Sequence, residues 1–208
     1  MKICLFPGQG SQFVGMGKEL FENNEIAKSL FNKANEILGF KITDIMFNGD
    51  VEELKETDIT QPSIYIHSVI LFMISDIKNL SAVAGHSLGE FSALAAIGSL
   101  SFEDGLKLVI KRARAMKKAC ELSDSSMAAI LGVNDDVVEN VCSEFKDVVP
   151  ANYNAPGQLV ISGSKNGIIN VCEKLNIKGA KTIILPVGGG FHSPFMNPAK
   201  KGVRRGNQ

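Results

Sequence analysis

Ser81-Ala82-Val83-Ala84-Gly85-His86-Ser87-Leu88-Gly89-Glu90-Phe91-Ser92-Ala93 is the stretch on which the fold turns. Residues 81–85 form a short apolar run that reads as a strand. Residues 88–97, rich in alanine and followed by Gly98, read as a helix. Between them, Gly85-x-Ser87-x-Gly89 has the spacing of a nucleophile elbow, a sharp strand-to-helix turn that exposes a serine hydroxyl. The two glycines permit the turn and the close approach of neighbouring backbone. The Leu88 amide, at the helix N-terminus, then faces the place where an oxyanion would form. The plain alternative is a tight turn with an N-capping serine, and the pentapeptide alone does not separate the two.

Upstream, residues 2–6 are apolar and broken by Pro7-Gly8, which predicts a strand, and a glycine-rich turn follows over residues 7–17. Glu25–Leu38 carries Ile26, Leu30, Phe31, Ala34, Ile37 and Leu38 near helical spacing, and Val51–Lys55 predicts a short helix. Thr60-Gln61-Pro62 predicts a helix start with Thr60 as N-cap and Pro62 in the first turn. That helix, running to about residue 78, is apolar on most sides and so is expected to be central. Downstream, residues 102–120 predict an amphipathic helix with Leu106, Val109, Ile110, Ala113 and Met116 on its apolar side.

From Ser123 the character changes. Strands are predicted over residues 126–131, 148–152, 158–162 and 182–187, and helices over 135–145 and 166–175, with a turn at Asn154-Ala155-Pro156-Gly157. The order βαββαβ is that of a ferredoxin-like module. The expected architecture is therefore α/β: a core with a parallel sheet from residues 1–123 and 189–208, carrying a ferredoxin-like insert at 124–188.

The bulk properties exclude several functions. The chain has 208 residues, 45% apolar, enough to bury a sizeable core. Lysine plus arginine number 22, as do aspartate plus glutamate. Lys200, Lys201, Arg204 and Arg205 crowd the end, so the body is mildly acidic and offers no basic face for nucleic acid. Cys4, Cys120, Cys142 and Cys172 form no C-x-x-C pair and read as reduced thiols. With three histidines and no Cys/His cluster, no zinc site is expected. The most apolar run, residues 64–74, is too short to span a bilayer. A soluble cytoplasmic protein with no membrane partner is expected.

A serine needs a base to be nucleophilic at neutral pH. His67 lies within the apolar helix and reads as a core residue. His86 adjoins Ser87, but consecutive residues of an extended segment point to opposite faces. His192, in Gly188-Gly189-Gly190-Phe191-His192-Ser193-Pro194 just after a strand, occupies the usual position of a catalytic loop residue and leads on spacing. The first turn, Phe6-Pro7-Gly8-Gln9-Gly10-Ser11-Gln12, is not a phosphate loop, since no G-K-[ST] follows. It either supplies a second oxyanion donor or is simply a turn after the first strand, and the second reading is the better one from these residues alone. In Lys111-Arg112-Ala113-Arg114 the two arginines cannot share one direction on a helix. They form a solvated basic face, or one of them turns toward the serine.

Four segments taken together carry a resemblance: Phe6 to Gln12, Gly85-His86-Ser87-Leu88-Gly89-Glu90, Asn152-Tyr153-Asn154-Ala155-Pro156-Gly157-Gln158, and Phe191-His192-Ser193-Pro194. In this order and spacing, up to about Ala199, the chain resembles the malonyl-CoA:acyl carrier protein transacylases of fatty-acid and polyketide synthesis. The resemblance implies an α/β-hydrolase-like core with a ferredoxin-like insert. It implies Ser87 as nucleophile, His192 as general base, and the amides of Gln9 and Leu88 as the oxyanion hole. It further implies Arg112 as the clamp on the malonyl carboxylate, Gln61 and Asn154 near the pocket, and Phe191 in selecting malonyl over methylmalonyl groups. Malonyl-CoA is then the substrate and acyl carrier protein the partner, with no cofactor and a monomeric enzyme. A serine acyl hydrolase and an inactive truncated fragment are the alternatives.

The chain departs from the family pattern near its end. Family members continue past the histidine with further helices and strand, and with a glutamine whose main-chain carbonyl orients it. Here Lys200-Lys201-Gly202-Val203-Arg204-Arg205-Gly206-Asn207-Gln208 lacks the pattern of the amphipathic helix expected after Pro194. The expectation is a truncated chain, unstable and weakly active alone. Gly188-Gly189-Gly190 stands where bulkier residues are usual and is expected to loosen the loop that places His192.

Overall fold

The computed structural model describes residues 1–77 and 79–204, with side chains through residue 200. It is a mixed α/β chain with one parallel and one antiparallel sheet, and it divides into two compact units, Met1–Arg114 and Ala115–Gln208.

In the first unit, β1 (Ile3–Phe6) is followed by α1 (Lys18–Asn23), α2 (Glu25–Leu38), α3 (Ile42–Asn48), α4 (Val51–Lys55) and α5 (Thr57–Met73). Then come β2 (Ala82–Gly85), α6 (Gly89–Ala96) and α7 (Phe102–Glu121), within which the boundary to the second unit falls. The strands pair in parallel from Ile3 opposite Ala82 to Phe6 opposite Gly85, which brings the turn after β1 beside the elbow after β2. The capping follows the sequence. Asn24 accepts from the Ala27 amide at 3.0 Å to start α2, and Gly39, at φ 77°, ends it.

Helix α5 is central, as its apolar surroundings require. Ile64, Tyr65, Ile66, Val69 and Ile70 are all buried and pack with Phe31, Ile42, Met46, Leu106 and Val109. Each such side chain contributes about 1.5–3 kcal/mol on removal from water. The start of α5 differs from expectation. The helix begins at Thr57 with Glu56 as N-cap, three residues before Thr60. The Thr60 hydroxyl instead donates to the Leu54 carbonyl at 2.5 Å, satisfying the end of α4 and tying the two helices together. Helices α1 and α3 were not legible as elements, because six and seven residues are too few to show a period.

The second unit contains β3 (Ser125–Leu131), α8 (Asp135–Ser143), β4 (Val148–Ala155), β5 (Gln158–Ser164), α9 (Lys165–Ile177) and β6 (Lys181–Ile184). A 3-10 turn (Pro194–Met196) and α10 (Asn197–Arg204) follow. The sheet order is β4-β5-β3-β6, antiparallel throughout. Strand β4 runs through Asn154 to Ala155, so the turn to β5 is tighter than expected and rests on Gly157 at φ 74°. One face of the sheet presents Ala128, Ile130, Leu159 and Ile161 to Val138, Val141, Ile168 and Val171 of α8 and α9. The other presents Met127 and Val160 to Met116, Ala119, Phe191 and Ala199.

Two expectations about this unit are corrected. After Pro194 the chain does form a helix, α10, because Pro198 sits in its first turn and Ala199, 6% exposed, anchors it. The side chains of residues 201–208 lie outside the described residues, and with them the basic tail. The second correction concerns the glycines before His192. Gly189 and Gly190 are buried, and a Cβ at Gly189 would fall 2.5 Å from Cys120 Sγ. These glycines serve close packing and do not loosen the loop.

Candidate functional site

The elbow is built by backbone proximity. A Cβ at Gly85 would land on the backbone of Gly89 and Glu90, and one at Gly89 on the Phe6 carbonyl. Neither position tolerates a side chain, because β1, β2 and α6 meet there. The turn forces Ser87 to φ 52°, a left-handed conformation that costs a non-glycine residue about 1–3 kcal/mol and clusters at functional sites. Leu88 is buried at the head of α6. Among the described residues, no oxygen accepts from the backbone amide of Leu88 or of Gln9. The Gln9 turn is itself fixed, with Ser11 Oγ donating to the Gly8 carbonyl and the Gly10 amide to Gln12 Oε1, each at 2.8 Å.

Helix α7 brings Arg112 to the serine. Its Nη2 donates to Ser87 Oγ at 2.9 Å and its Nη1 to Gln61 Oε1 at 2.6 Å. The guanidinium carbon lies 5.9 Å from the centre of the Phe91 ring. Arg114 is exposed, as two residues of separation on a helix require. Burial lowers the Arg112 pKa from its ordinary value, and Glu90 opposes that shift. No carboxylate among the described residues forms an ion pair with Arg112. A half-buried cation therefore bonds two neutral oxygens, one of them the elbow hydroxyl. Phe91 and Glu90 were missed as partners of this cation, although Phe91 lies one helical turn beyond Ser87.

The three histidines fall in different settings. His67 is half-buried on α5, its ring edge-on to Phe13 at 6.3 Å, and burial pushes its pKa below the ordinary 6.5. His86 is exposed and its backbone amide donates to the Phe6 carbonyl at 3.0 Å, extending the strand pairing. His192, in the second unit, is exposed at φ 56° between the packed glycines and the 3-10 turn. Phe191 beside it is buried with Met116, Met127 and Val160, and Asn154 is exposed on β4. Among the described residues, no three His, Cys, Asp or Glu side chains gather as a metal group would need, and no helix is long and apolar enough to cross a membrane.

Comparison with known proteins supplies the family context for these residues. Residues 3–206 match the family described as acyl transferase domain. The chain is 44% identical over 207 residues to the malonyl CoA-acyl carrier protein transacylase of Bacillus subtilis (strain 168), an alignment taking 96% of this chain and 65% of that protein. It resembles the acyl-carrier-protein S-malonyltransferase structure from Burkholderia pseudomallei 1710b at a TM-score of 0.91 and 40% identity, covering 99% of this chain and 69% of that one. A malonyl-transacylase solved in complex with its type II PKS acyl-carrier protein gives a TM-score of 0.91 at 33% identity, covering 97% and 67%. The chain thus spans just under two thirds of the length of the curated relatives it matches.

Proposed function

This chain belongs to the acyl transferase domain family, and from that premise we propose that it transfers a malonyl group from malonyl-CoA to the pantetheine thiol of an acyl carrier protein. The observation that carries the reading is Arg112. The guanidinium, which forms no ion pair with a carboxylate among the described residues, directs two donors at Ser87 Oγ and Gln61 Oε1, beside a serine held on an elbow. A free carboxylate on the acyl group can take the same two donors as a fork, which a lysine could not match.

The proposed cycle has two displacements. Ser87 Oγ attacks the malonyl thioester carbonyl while His192 takes the hydroxyl proton. The tetrahedral oxyanion accepts from the amides of Gln9 and Leu88, each worth roughly 10²–10³ in rate. Its collapse expels the CoA thiolate, which takes the proton from His192. The carrier thiol then attacks the seryl ester, giving its proton to His192, and Ser87 leaves and is reprotonated. Arg112 holds the malonyl carboxylate throughout, Gln61 steadies the guanidinium, Phe191 favours malonyl over methylmalonyl groups, and Asn154 lies near the pocket. No cofactor enters the cycle. The same reading takes a monomeric cytoplasmic enzyme with no nucleic-acid or membrane partner.

For the finer fold, the elbow between β2 and α6 supports an α/β-hydrolase-like core, for which residues 1–123 and 189–208 are the proposed bounds. The strand order β4-β5-β3-β6, with α8 and α9 on one face, supports a ferredoxin-like insert at 124–188.

The test is mass spectrometry of the intact chain after mixing with malonyl-CoA or acetyl-CoA. A malonyl adduct on Ser87 that is discharged by acyl carrier protein is expected. Arg112→Ala should lower malonyl loading far more than acetyl loading, and equal losses for both would refute the clamp.

A further inference from the structure

Beneath the His192 loop lies a patch of serine hydroxyls that the cycle above does not use. Ser125, the first residue of β3, is 4% exposed, and its Oγ accepts from the Gly190 amide at 2.8 Å. Strand alternation puts Ser125, Met127 and Ala129 on one face, and pairing of Met127 with Ser162 puts Ser162 there too. A Cβ at Gly190 would come within 3.0 Å of Ser125 Cβ and 3.1 Å of Ser162 Oγ, so the loop lies directly on this face. On the far side, Ser193 Oγ donates to the Gly190 carbonyl at 2.5 Å and the Phe191 amide to the Gly189 carbonyl at 3.0 Å. Both polar groups of Gly190 are therefore engaged, and the Phe191 ring is buried beside them.

His192 sits between these fixed points at φ 56°. A non-glycine residue keeps that conformation only where its surroundings over-determine it. The Gly190 amide, held by a buried hydroxyl of the sheet, is the bond that ties the loop to β3 on the N-terminal side of His192. We propose that Ser125 is the positioning residue for the catalytic histidine, acting through the Gly190 amide to hold His192 in its left-handed conformation. The proposal rests on His192 being the general base. Ser162 provides the internal contrast. It faces the same loop, yet its Oγ has no hydrogen-bond partner among the described residues.

The test compares wild type, Ser125→Ala, Ser162→Ala and His192→Ala in the full chain. With three histidines present, the His192 ring signal is assigned by its loss in His192→Ala, and its titration is followed by NMR. Ser125→Ala should speed hydrogen exchange at the Gly190 amide at least tenfold, shift the His192 titration, and slow malonyl loading roughly 10- to 100-fold at unchanged KM. Ser162→Ala should leave all three readouts as in wild type. If Ser125→Ala does not fold, Gly190→Ala, whose Cβ displaces the same loop, carries the same expectations. Unchanged exchange and titration in the variant overturn the proposal, while the base assignment survives if His192→Ala still abolishes loading. Normal loading by His192→Ala overturns the base assignment and this proposal with it.

Discussion

At the scale of the residue, Arg112 has the most restrictive chemistry. Its fork bonds Ser87 and Gln61 at 2.9 and 2.6 Å, and its charge is only half solvated. Arg112→Lys keeps the charge but offers a single compact ammonium, so one of two charge-assisted bonds to a bound carboxylate is lost. Such a bond is worth about 1.5–3 kcal/mol, or roughly 10- to 150-fold in malonyl loading. Stopped-flow or quenched-flow acylation with malonyl-CoA reads this directly, and acetyl-CoA loading should change little. A lysine variant that loads malonate as well as arginine does would show that charge alone suffices. The elbow was legible in the sequence, because glycine spacing is local, whereas helical geometry left open whether either arginine turned inward. The choice of Arg112 over Arg114 came only from the family resemblance, since physically it depends on where α7 lies relative to β2. Phe91 as a face for the guanidinium depended on the same placement.

At the scale of the element, α5 shows how one helix carries the unit around the elbow. Tyr65 is fully buried on it, stacked on Phe102 at 6.0 Å, and its hydroxyl donates to the Phe102 carbonyl at 3.1 Å. That bond ties α5 to the first residue of α7, the helix that presents Arg112. Burial, with Glu103 and Asp104 adding to it, raises the phenol far above its ordinary 10.0, so the donor stays protonated. Tyr65→Phe removes this bond from a carbonyl that also serves the α7 helical ladder and should cost about 0.5–1.5 kcal/mol. Urea unfolding should show a lower midpoint with an unchanged slope. A midpoint equal to wild type would mean that another donor replaces the phenol. Long periodic helices such as α2 were readable to the residue, since their apolar stripe has a period. The start of α5 was misread, because Thr60-Gln61-Pro62 imitates a capped N-terminus. Only the chain path from α4 shows that Thr60 caps its predecessor instead.

At the scale of the whole molecule, stability in the first unit rests on its helices more than its sheet. Strands β1 and β2 leave Ile3 50% and Leu5 73% exposed, whereas α5 is buried along most of its length. A titratable group on α5 therefore acts on the element that matters most, and His67 is the one whose ordinary value lies nearest neutral pH. Burial lowers its pKa below the ordinary 6.5, which the unfolded chain retains. Between those two values the unfolded state binds more protons than the folded one, so stability rises with pH across that window. The contribution is complete above about 6.5 and is lost as the pH falls toward the folded value. The thermal midpoint of the wild type should thus fall on acidification from neutral pH. His67→Leu removes the proton site and should flatten that limb. Glu144, held below its ordinary 4.5 by Lys174, also loses its contribution on acidification, but only in a lower window. Differential scanning calorimetry in steps of half a pH unit, about 7.5 to 4, separates the two. An acid limb beginning below about 6.5 that persists unchanged in His67→Leu would remove His67 as its source.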